Sequence, residues 1–165
     1  RFNEQTVRTM GRNATGVRAM RIDEGDEVIG MVSVCNPEKD TVLVVSDQGY
    51  GKRSDVEDYR ITNRGGKGVK TMNITDKTGK LVALKVVNDE DDLMIINVSG
   101  ITLRLHTSDI RVMGRATQGV RLINLSKRGD TIASICRVPR EDEENINAET
   151  SEATTEDSDQ PENDN

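Results

Sequence analysis

The hydrophobic positions of this chain fall in short runs that turn residues separate. Apolar and β-branched runs of five to eight residues cover positions 27–34, 41–45, 81–87 and 93–98, with Gly, Asp, Asn and Ser between them. Runs of this length and composition predict β-strands. An apolar spacing of three and four never persists long enough to favour a helix. The stretches DQGYGK at 47–52 and NVSGIT at 97–102 predict hairpin connections.

The same pattern occurs three times along the chain. VRTMGRNATGVRAMRI from Val7 corresponds to YRITNRGGKGVKTMNI from Tyr59 and to IRVMGRATQGVRLINL from Ile110, at offsets of 52 and 51. The repeats therefore start near residues 1, 53 and 104. Each contains a first glycine turn and then a second one, at Gly16, Gly68 and Gly119 and at Gly25, Gly79 and Gly129. A period of about fifty residues is typical of propeller-type arrays.

Within each repeat, one predicted strand carries apolar residues on both faces. In the first copy, Val17 and Ala19 lie on one face and Met20 and Ile22 on the other. A strand that is covered on both faces fits a small sheet stacked between neighbouring sheets, as in a propeller blade. The later copies repeat the pattern with Val69, Met72 and Ile74, and with Val120, Ile123 and Leu125. The sequence thus predicts an all-β fold of about three blades in an open or truncated array.

Charge divides the chain into two unlike parts. Residues 1–140 hold all 23 Lys and Arg against 18 acidic residues, a net charge of +5, whereas residues 141–165 hold the other 11 acids and no base. The acidic segment has Ile146 as its only large apolar residue. Because so little apolar surface cannot offset the entropy of ordering, we expect a folded domain over 1–140 and a disordered tail over 141–165.

The basic residues of the predicted domain recur at equivalent positions of the repeats. Repeated cations beside turns need either a repeated internal salt bridge or a repeated external polyanion. Glu4, Asp55 and Asp109 could pair locally, but they do not share one column, so we favour an external polyanion such as the DNA backbone. The four basic columns are Arg1, Arg53 and Arg104; Arg8, Arg60 and Arg111; Arg12, Arg64 and Arg115; and Arg18, Lys70 and Arg121.

Two features narrow the class of polyanion. The only aromatic residues are Phe2, Tyr50 and Tyr59, too few for the stacking platforms that single-stranded nucleic acid requires; duplex DNA is favoured. The loop ITNRGGKGV at 61–69 is not a nucleotide-binding P-loop, because Ile61 stands where the first glycine is required and Gly68 where Ser or Thr is required.

The remaining reactive residues predict no catalytic or metal site. Cys35 and Cys136 lie near no second ligand and are expected to be buried thiols in a reducing cytosol. The single His106 is interpreted as an ordinary loop or edge residue. The acidic run 89–92 lacks the spacing of a calcium loop and is predicted to be a hairpin turn. No apolar run is long enough to predict a membrane span.

Several motifs resemble the C-terminal domain of the bacterial DNA gyrase A subunit. They are VRTMGRNATGVRAMRIDEGDEV, IRVMGRATQGVRLI and GYGKR, and the resemblance covers residues 1 to about 139. The corresponding domain of topoisomerase IV is a close alternative. The resemblance implies a β-pinwheel of six four-stranded blades that exchange strands, about three of them in this chain. It further implies that the basic perimeter wraps double-stranded DNA in a positive sense, so that the holoenzyme introduces negative supercoils with ATP.

The family's gyrase A box, Q-R-R-G-G-K-G, has a degenerate counterpart here. Residues 62–68 read T-N-R-G-G-K-G, which matches the box at Arg64, Gly65, Gly66, Lys67 and Gly68. With Lys52 of the GYGKR motif, the resemblance therefore implies DNA contacts at Lys52, Gly65, Gly66 and Lys67 in addition to the four basic columns.

The resemblance also implies the setting in which this chain works. It would be cytoplasmic and would assemble with the rest of the gyrase A subunit and with the gyrase B subunit as an A2B2 heterotetramer, without a membrane. ATP and Mg would be bound elsewhere in the holoenzyme, and the cleaving tyrosine would belong to the N-terminal part of the A subunit, so this chain would hold no cofactor and no catalytic residue. A propeller-like protein-interaction scaffold, whose cations would meet acidic protein surfaces, is the alternative from another class.

Overall fold

The computed structural model describes residues 1–125 and 129–139; the predicted acidic tail at 141–165 lies outside the described residues. Seven strands form, without any α-helix in the described part of the chain. Each repeat also contains one short 3₁₀ turn, at Glu4–Thr6, Val56–Asp58 and Thr107–Asp109. The strands are β1 (Thr41–Ser46), β2 (Tyr50–Asp55), β3 (Leu81–Val87), β4 (Asp91–Asn97), β5 (Thr102–His106), β6 (Val120–Arg121) and β7 (Ile132–Pro139).

The strands form two antiparallel sheets, which confirms the all-β prediction. The first sheet has the order β3-β1-β2-β6 and the second the order β5-β4-β7. Both predicted hairpins are present, since β1 pairs with β2 and β4 pairs with β5. By the repeat starts given above, this sheet combines β1 of the first repeat with β3 of the second and β6 of the third. Strand exchange therefore links one repeat to the next.

The core lies on both faces of β1, whose six residues are all buried. Leu43 and Val45 point toward the second sheet and pack with Leu93 and Ile95 of β4. On the opposite face, Val42 and Val44 pack with residues from the segment that follows β2, among them Val56 and Met72. β1 is thus covered on both faces, but it is not one of the repeated strands for which the sequence predicted such cover. Burying each such side chain stabilises the fold by about 1.5–3 kcal/mol.

The repeated apolar strand that the sequence predicts is absent at 17–22 and 69–74, and in the third copy only Val120–Arg121 is a strand. Of the residues predicted to be buried, Met72 and Leu125 are buried, whereas these are exposed: Met20, Ile22, Ile74 and Val120. The run at 27–34, predicted to be a strand, forms none, and its Met31 is 88% exposed. The corresponding strands β3 and β7 each pair with the first strand of a hairpin. Residues 27–34 have no such hairpin beside them in the described part of the chain, so their backbone has no ladder to join.

The acidic run at 89–92 is not a hairpin turn. It connects β3 to β4, which belong to different sheets, and Asp91 and Asp92 are already buried residues of β4. The hairpin prediction fails because β1 is the partner of β3, while β5 and β7 are the partners of β4.

The prediction for the two cysteines is also wrong, because both thiols are free and exposed. Cys35 follows the unpaired run at 27–34, and Cys136 lies on β7, an edge strand of the second sheet. His106, by contrast, is the last residue of the edge strand β5, as the sequence predicts.

Candidate nucleic-acid interface

Arg53, of the first basic column, points inward. Its side chain is 4% exposed, and its Nη2 lies 2.7 Å from Asp89 Oδ1. Nε donates to Thr41 Oγ1 at 2.9 Å, and Nη1 donates to the carbonyl of Thr107 at 2.8 Å. Inside the fold, the carboxylate compensates the charge of this guanidinium, and the oxygen atoms accept most of its hydrogen bonds.

The other members of this column also meet carboxylates. Arg1 Nη1 donates to the carbonyl of Val56 at 2.9 Å and lies 3.3 Å from Glu57 Oε1. Val56 and Thr107 begin equivalent 3₁₀ turns, so Arg1 and Arg53 each clamp the turn of the following repeat. Arg104 Nε donates to Asp92 Oδ2 at 2.6 Å. The internal salt bridge that the sequence left open as an alternative therefore accounts for this column.

The third basic column joins each repeat to the one before it. Arg64 Nη1 donates to the carbonyl of Arg18 at 2.9 Å, and Arg115 Nη1 donates to the carbonyl of Lys70 at 2.8 Å. Main-chain bonds accompany each contact, such as the N–H of Gly65 to the carbonyl of Ala19 at 2.7 Å. These bonds use carbonyls and no carboxylate. No described carboxylate therefore forms an ion pair with Arg64 or Arg115, and both side chains are half-buried.

Lys52 is fully buried, with no exposed side-chain surface. Its Nζ donates to the carbonyl of Gly114 at 2.8 Å. Burial lowers the pKa of Lys52; Asp58 opposes this effect, and Arg115 adds to it. The structure places this predicted site residue, like Arg53, in the interior.

The second column is exposed. Arg8, Arg60 and Arg111 form no hydrogen bond or ion pair through their side chains within residues 1–125 and 129–139. The side chains of Arg12, Arg18 and Lys67 are also exposed, and none of the three forms a hydrogen bond or ion pair with a described residue. In the fourth column, Lys70 Nζ donates to Asn73 Oδ1 at 2.8 Å, and Arg121 contacts Tyr50.

The degenerate box and Arg60 line an open cleft of about 410 Å³. Arg60, Arg64 and Lys67 line it together with residues 62, 63, 65, 66 and 68. The main-chain N–H groups of residues 66–68 donate to no acceptor among the described residues. Free N–H groups beside uncompensated cations form a concave surface that suits an anion. The structure therefore brings Arg60, Arg64, Gly65, Gly66 and Lys67 together.

Between β2 and β6 of the first sheet, Arg121 Nη2 donates to the Tyr50 hydroxyl at 2.8 Å. This hydrogen bond lowers the pKa of Tyr50 against the opposing effect of burial, and the nearby charges of Arg121 and Lys77 lower it further. Sequence reasoning missed Lys77, because its position belongs to none of the basic columns. The two lysines of the turn TDKTGK were the only signal in the sequence.

The described residues contain no group of three or more His, Cys, Asp or Glu that could hold a metal ion. Nor does any helix in the described ranges have the length and apolar character needed to span a membrane.

Two antiparallel sheets made from a fifty-residue repeat, joined by strand exchange and by inter-repeat arginines, define a propeller-like repeat domain. The chain belongs to the family of DNA gyrase C-terminal domains: the family model described as "DNA gyrase C-terminal domain, beta-propeller" matches residues 1–35, 40–88 and 91–138. The family resemblance of the sequence motifs is thereby confirmed.

Similar proteins agree with this assignment. The DNA gyrase A subunit of Staphylococcus aureus (strain NCTC 8325 / PS 47) is 45% identical over 157 residues, which are 94% of this chain and 17% of that protein. A solved DNA gyrase A C-terminal domain has a TM-score of 0.75 at 27% identity, covering 83% of this chain and 46% of that one. The C-terminal domain of DNA topoisomerase IV has a TM-score of 0.78 at 21% identity, with coverages of 93% and 47%. The last likeness concerns the fold alone.

Proposed function

We propose that this chain binds and wraps double-stranded DNA as the C-terminal part of a DNA gyrase A subunit. The observation that carries the proposal is the column formed by Arg8, Arg60 and Arg111. The fold places one of these arginines at an equivalent point of every repeat and gives none of them a partner in the described part of the chain. Cations that the fold does not use, repeated once per blade, suit the repeating phosphates of a duplex backbone.

The remaining contacts would come from the cleft and from other exposed cations of the columns. Lys67 and the free N–H groups of the box loop can approach one phosphate closely, while Arg12, Arg18 and Lys70 extend the positive surface. Such contacts hold the backbone of the duplex and leave its base sequence unread. Lys52 and Arg53 are not part of the proposed interface, because the fold uses their side chains internally.

In the holoenzyme, wrapping would present a second duplex segment to the gate, so that strand passage adds negative supercoils. The chain spans 17% of the length of the gyrase protein it matches; cleavage and ATP use are proposed for the rest of the A subunit and for the B subunit, in an A2B2 assembly in the cytoplasm. We favour gyrase over topoisomerase IV because of the 45% identity to a gyrase protein.

Duplex binding can be tested on the full chain with a labelled linear duplex over a range of salt concentrations. Arg8→Gln, Arg60→Gln and Arg111→Gln should each weaken binding and lower the slope of log affinity against log salt by about 0.9. Arg137→Gln is the charge-matched control, since Arg137 lies outside the columns and faces Asp91 at 3.8 Å. Wild-type affinity in all three column variants would reject the interface, and preferential binding of polyglutamate would support the scaffold alternative.

The supercoiling role is tested separately in an intact gyrase A protein that carries the triple substitution and is assembled with the B subunit. We expect loss of ATP-dependent negative supercoiling with retention of relaxation, because the gate lies elsewhere. If the wild-type assembly relaxes or unlinks DNA without adding negative supercoils, the gyrase assignment is wrong and the topoisomerase IV alternative holds.

A further inference from the structure

We propose that Tyr50, Lys77 and Arg121, here called the Tyr50 cluster, form a further binding site for one phosphodiester group of the duplex. The site rests on the proposed function, because its ligand is the same DNA. It adds a hydroxyl and a lysine that no repeated column contains.

The fold brings these three residues together from separate segments. Tyr50 is the first residue of β2, and its cross-strand partner in β6 is Arg121. Lys77 lies in the turn before β3, and the N–H of Asp47 ties that turn to the β1–β2 hairpin by donating to the carbonyl of Lys80 at 2.9 Å. One end of the first sheet thus collects all three side chains.

The ring of Tyr50 lies close to two positive charges. The guanidinium carbon of Arg121 is 5.4 Å from the ring centroid, and Lys77 Nζ is 5.8 Å from it. Both distances are within the range of cation–π attraction. Tyr50 itself is 8% exposed, whereas Lys77 and Arg121 are exposed. A phosphate could therefore reach the cations, while the buried ring fixes where they stand.

No described carboxylate lies within ion-pair distance of these two charges. Neither Lys77 nor Arg121 forms an ion pair with any described residue. Two like charges near one ring repel each other, so the pair is most stable when an anion lies between or beside them. The arginines of the first column show the contrast, because each of those has its own carboxylate.

The hydroxyl of Tyr50 adds a donor. An arginine can only donate, so the tyrosine oxygen accepts the bond from Arg121 and keeps its own proton free. That proton has no acceptor among the described residues. Its acidity is raised, since the pKa of Tyr50 is lowered, chiefly by the hydrogen bond from Arg121. A phosphate oxygen would satisfy the hydroxyl, the guanidinium and the ammonium together.

The cluster is specific to the first sheet. The position in the next repeat that corresponds to Tyr50 is Ile101, which offers neither a ring nor a hydroxyl. Because Tyr50 already holds Arg121 in place, less side-chain entropy is lost when the phosphate binds. Tyr50 is thus a positioning residue for Arg121 as well as a donor.

The test uses the full chain, a labelled linear duplex and several salt concentrations. Lys77→Gln and Arg121→Gln should each weaken binding about fivefold at low salt and lower the salt slope by about 0.9. Tyr50→Phe removes only the hydroxyl and should weaken binding about twofold at unchanged net charge. When Arg121 is already replaced by Gln, adding Tyr50→Phe should weaken duplex binding by much less than twofold. Such coupling separates positioning from a general loss of stability.

Two controls match the substitutions. Lys39→Gln removes an exposed lysine outside the columns, and Tyr59→Phe removes a hydroxyl whose partner is Thr71 rather than a cation. Both should bind duplex as the wild type does. Inorganic phosphate should displace the duplex from wild type more strongly than chloride at equal ionic strength, and this difference should shrink in Lys77→Gln. Thermal melting followed by circular dichroism checks the fold of each variant; Lys77 is exposed, so its variant remains informative if Tyr50→Phe melts early.

The outcomes distinguish this site from the proposed function. Wild-type affinity in all three cluster variants, together with weakened binding by Arg60→Gln, would overturn the Tyr50 cluster and leave the proposed function intact. Absence of duplex binding by the wild-type chain would overturn both. Displacement by polyglutamate as effective as displacement by phosphate would show that the cluster takes carboxylates, and the phosphate assignment would be wrong.

Discussion

At the scale of single residues, Ala116 has a conformation that its side chain disfavours. Its φ is 59°, and it is the only described residue other than glycine with a positive φ. The equivalent position in the preceding repeat is Gly65, with a φ of 80°. Since a Cβ in this region costs about 1 kcal/mol, partly offset by the greater freedom of glycine when unfolded, Ala116→Gly should stabilise the fold by about 0.5 kcal/mol.

The matched control is Gly65→Ala, which should destabilise the fold by about 0.5 kcal/mol for the same reason. A Cβ at Gly65 would meet only the Arg18 carbonyl oxygen, at 3.8 Å, which is an ordinary contact. The backbone conformation alone therefore decides the effect. Urea unfolding of both variants measures the two changes, and a loss of stability in Ala116→Gly would contradict the argument.

Asp92 gives a prediction about pH. Its side chain is 1% exposed, with Oδ1 2.7 Å from His106 Nδ1 and Oδ2 2.6 Å from Arg104 Nε. The hydrogen bond from His106, then the bond and charge of Arg104, lower the pKa of Asp92 against the effect of burial. Because the folded pKa lies below the unfolded value of about 3.9, the carboxylate stabilises the fold above that pH and stops doing so as pH falls through the folded pKa.

Asp92→Asn should therefore unfold at a lower urea concentration than wild type at pH 7. The difference between the two midpoints should start to shrink as the pH falls below about 4, where the unfolded chain takes up the proton, and should be lost as the pH falls through the lowered pKa of the folded carboxylate. Asp89→Asn is a useful comparison, because its carboxylate is 74% exposed and holds a buried arginine instead. A midpoint difference that stays constant from pH 7 to acid would show that the charge of Asp92 is not responsible.

The basic columns show how far residue-level sequence reasoning reaches. The sequence shows that the arginines recur at equivalent positions and that they need an anionic partner. It does not show which carboxylates those partners are. Glu57, Asp89 and Asp92 compensate Arg1, Arg53 and Arg104 from three different places in the repeat. Because the three acids do not occupy equivalent positions, comparing the repeats cannot identify them. Each carboxylate meets its arginine only in the folded chain.

At the scale of elements, the hairpins could be predicted and the sheets could not. Each hairpin pairs strands that are neighbours in the sequence, β1 with β2 and β4 with β5, and turns of Gly, Asp, Asn and Ser specify it. Sheet membership depends on pairings between distant segments, such as β2 with β6 across about seventy residues. The run at 27–34 has the composition of a strand and remains unpaired for the same reason, since a strand needs its neighbour.

The junction between successive repeats can be tested through Arg115. Its Nη1 donates to the carbonyl of Lys70 at 2.8 Å and its Nε to the carbonyl of Asp58 at 3.0 Å. Arg115→Ala removes both bonds and should lower the free energy of unfolding by about 1–3 kcal/mol. Arg111→Ala is the matched control, because that exposed side chain forms no bond to any described residue. Equal stability of the two variants in urea would mean that Arg115 does not hold the junction.

At the scale of the whole molecule, the sequence is basic over residues 1–140 and acidic over residues 141–165, here called the acidic extension. The net charge of residues 1–140 is +5, and residues 141–165 add 11 acids without a base. Carboxylates tethered to a basic surface compete with phosphate at a high effective concentration. The acidic extension should therefore weaken duplex binding at low salt, and added salt should reduce its effect because screening acts on both interactions.

The expected result is tighter duplex binding by residues 1–140 than by the full chain at one fixed, low salt concentration, with the two affinities converging as salt rises. A full-length variant with all 11 acids of residues 141–165 replaced by Asn or Gln separates charge from length. It should bind as tightly as the shortened chain. If the neutral extension still weakens binding, steric exclusion is the cause, and if all three proteins bind equally, the extension does not compete with DNA.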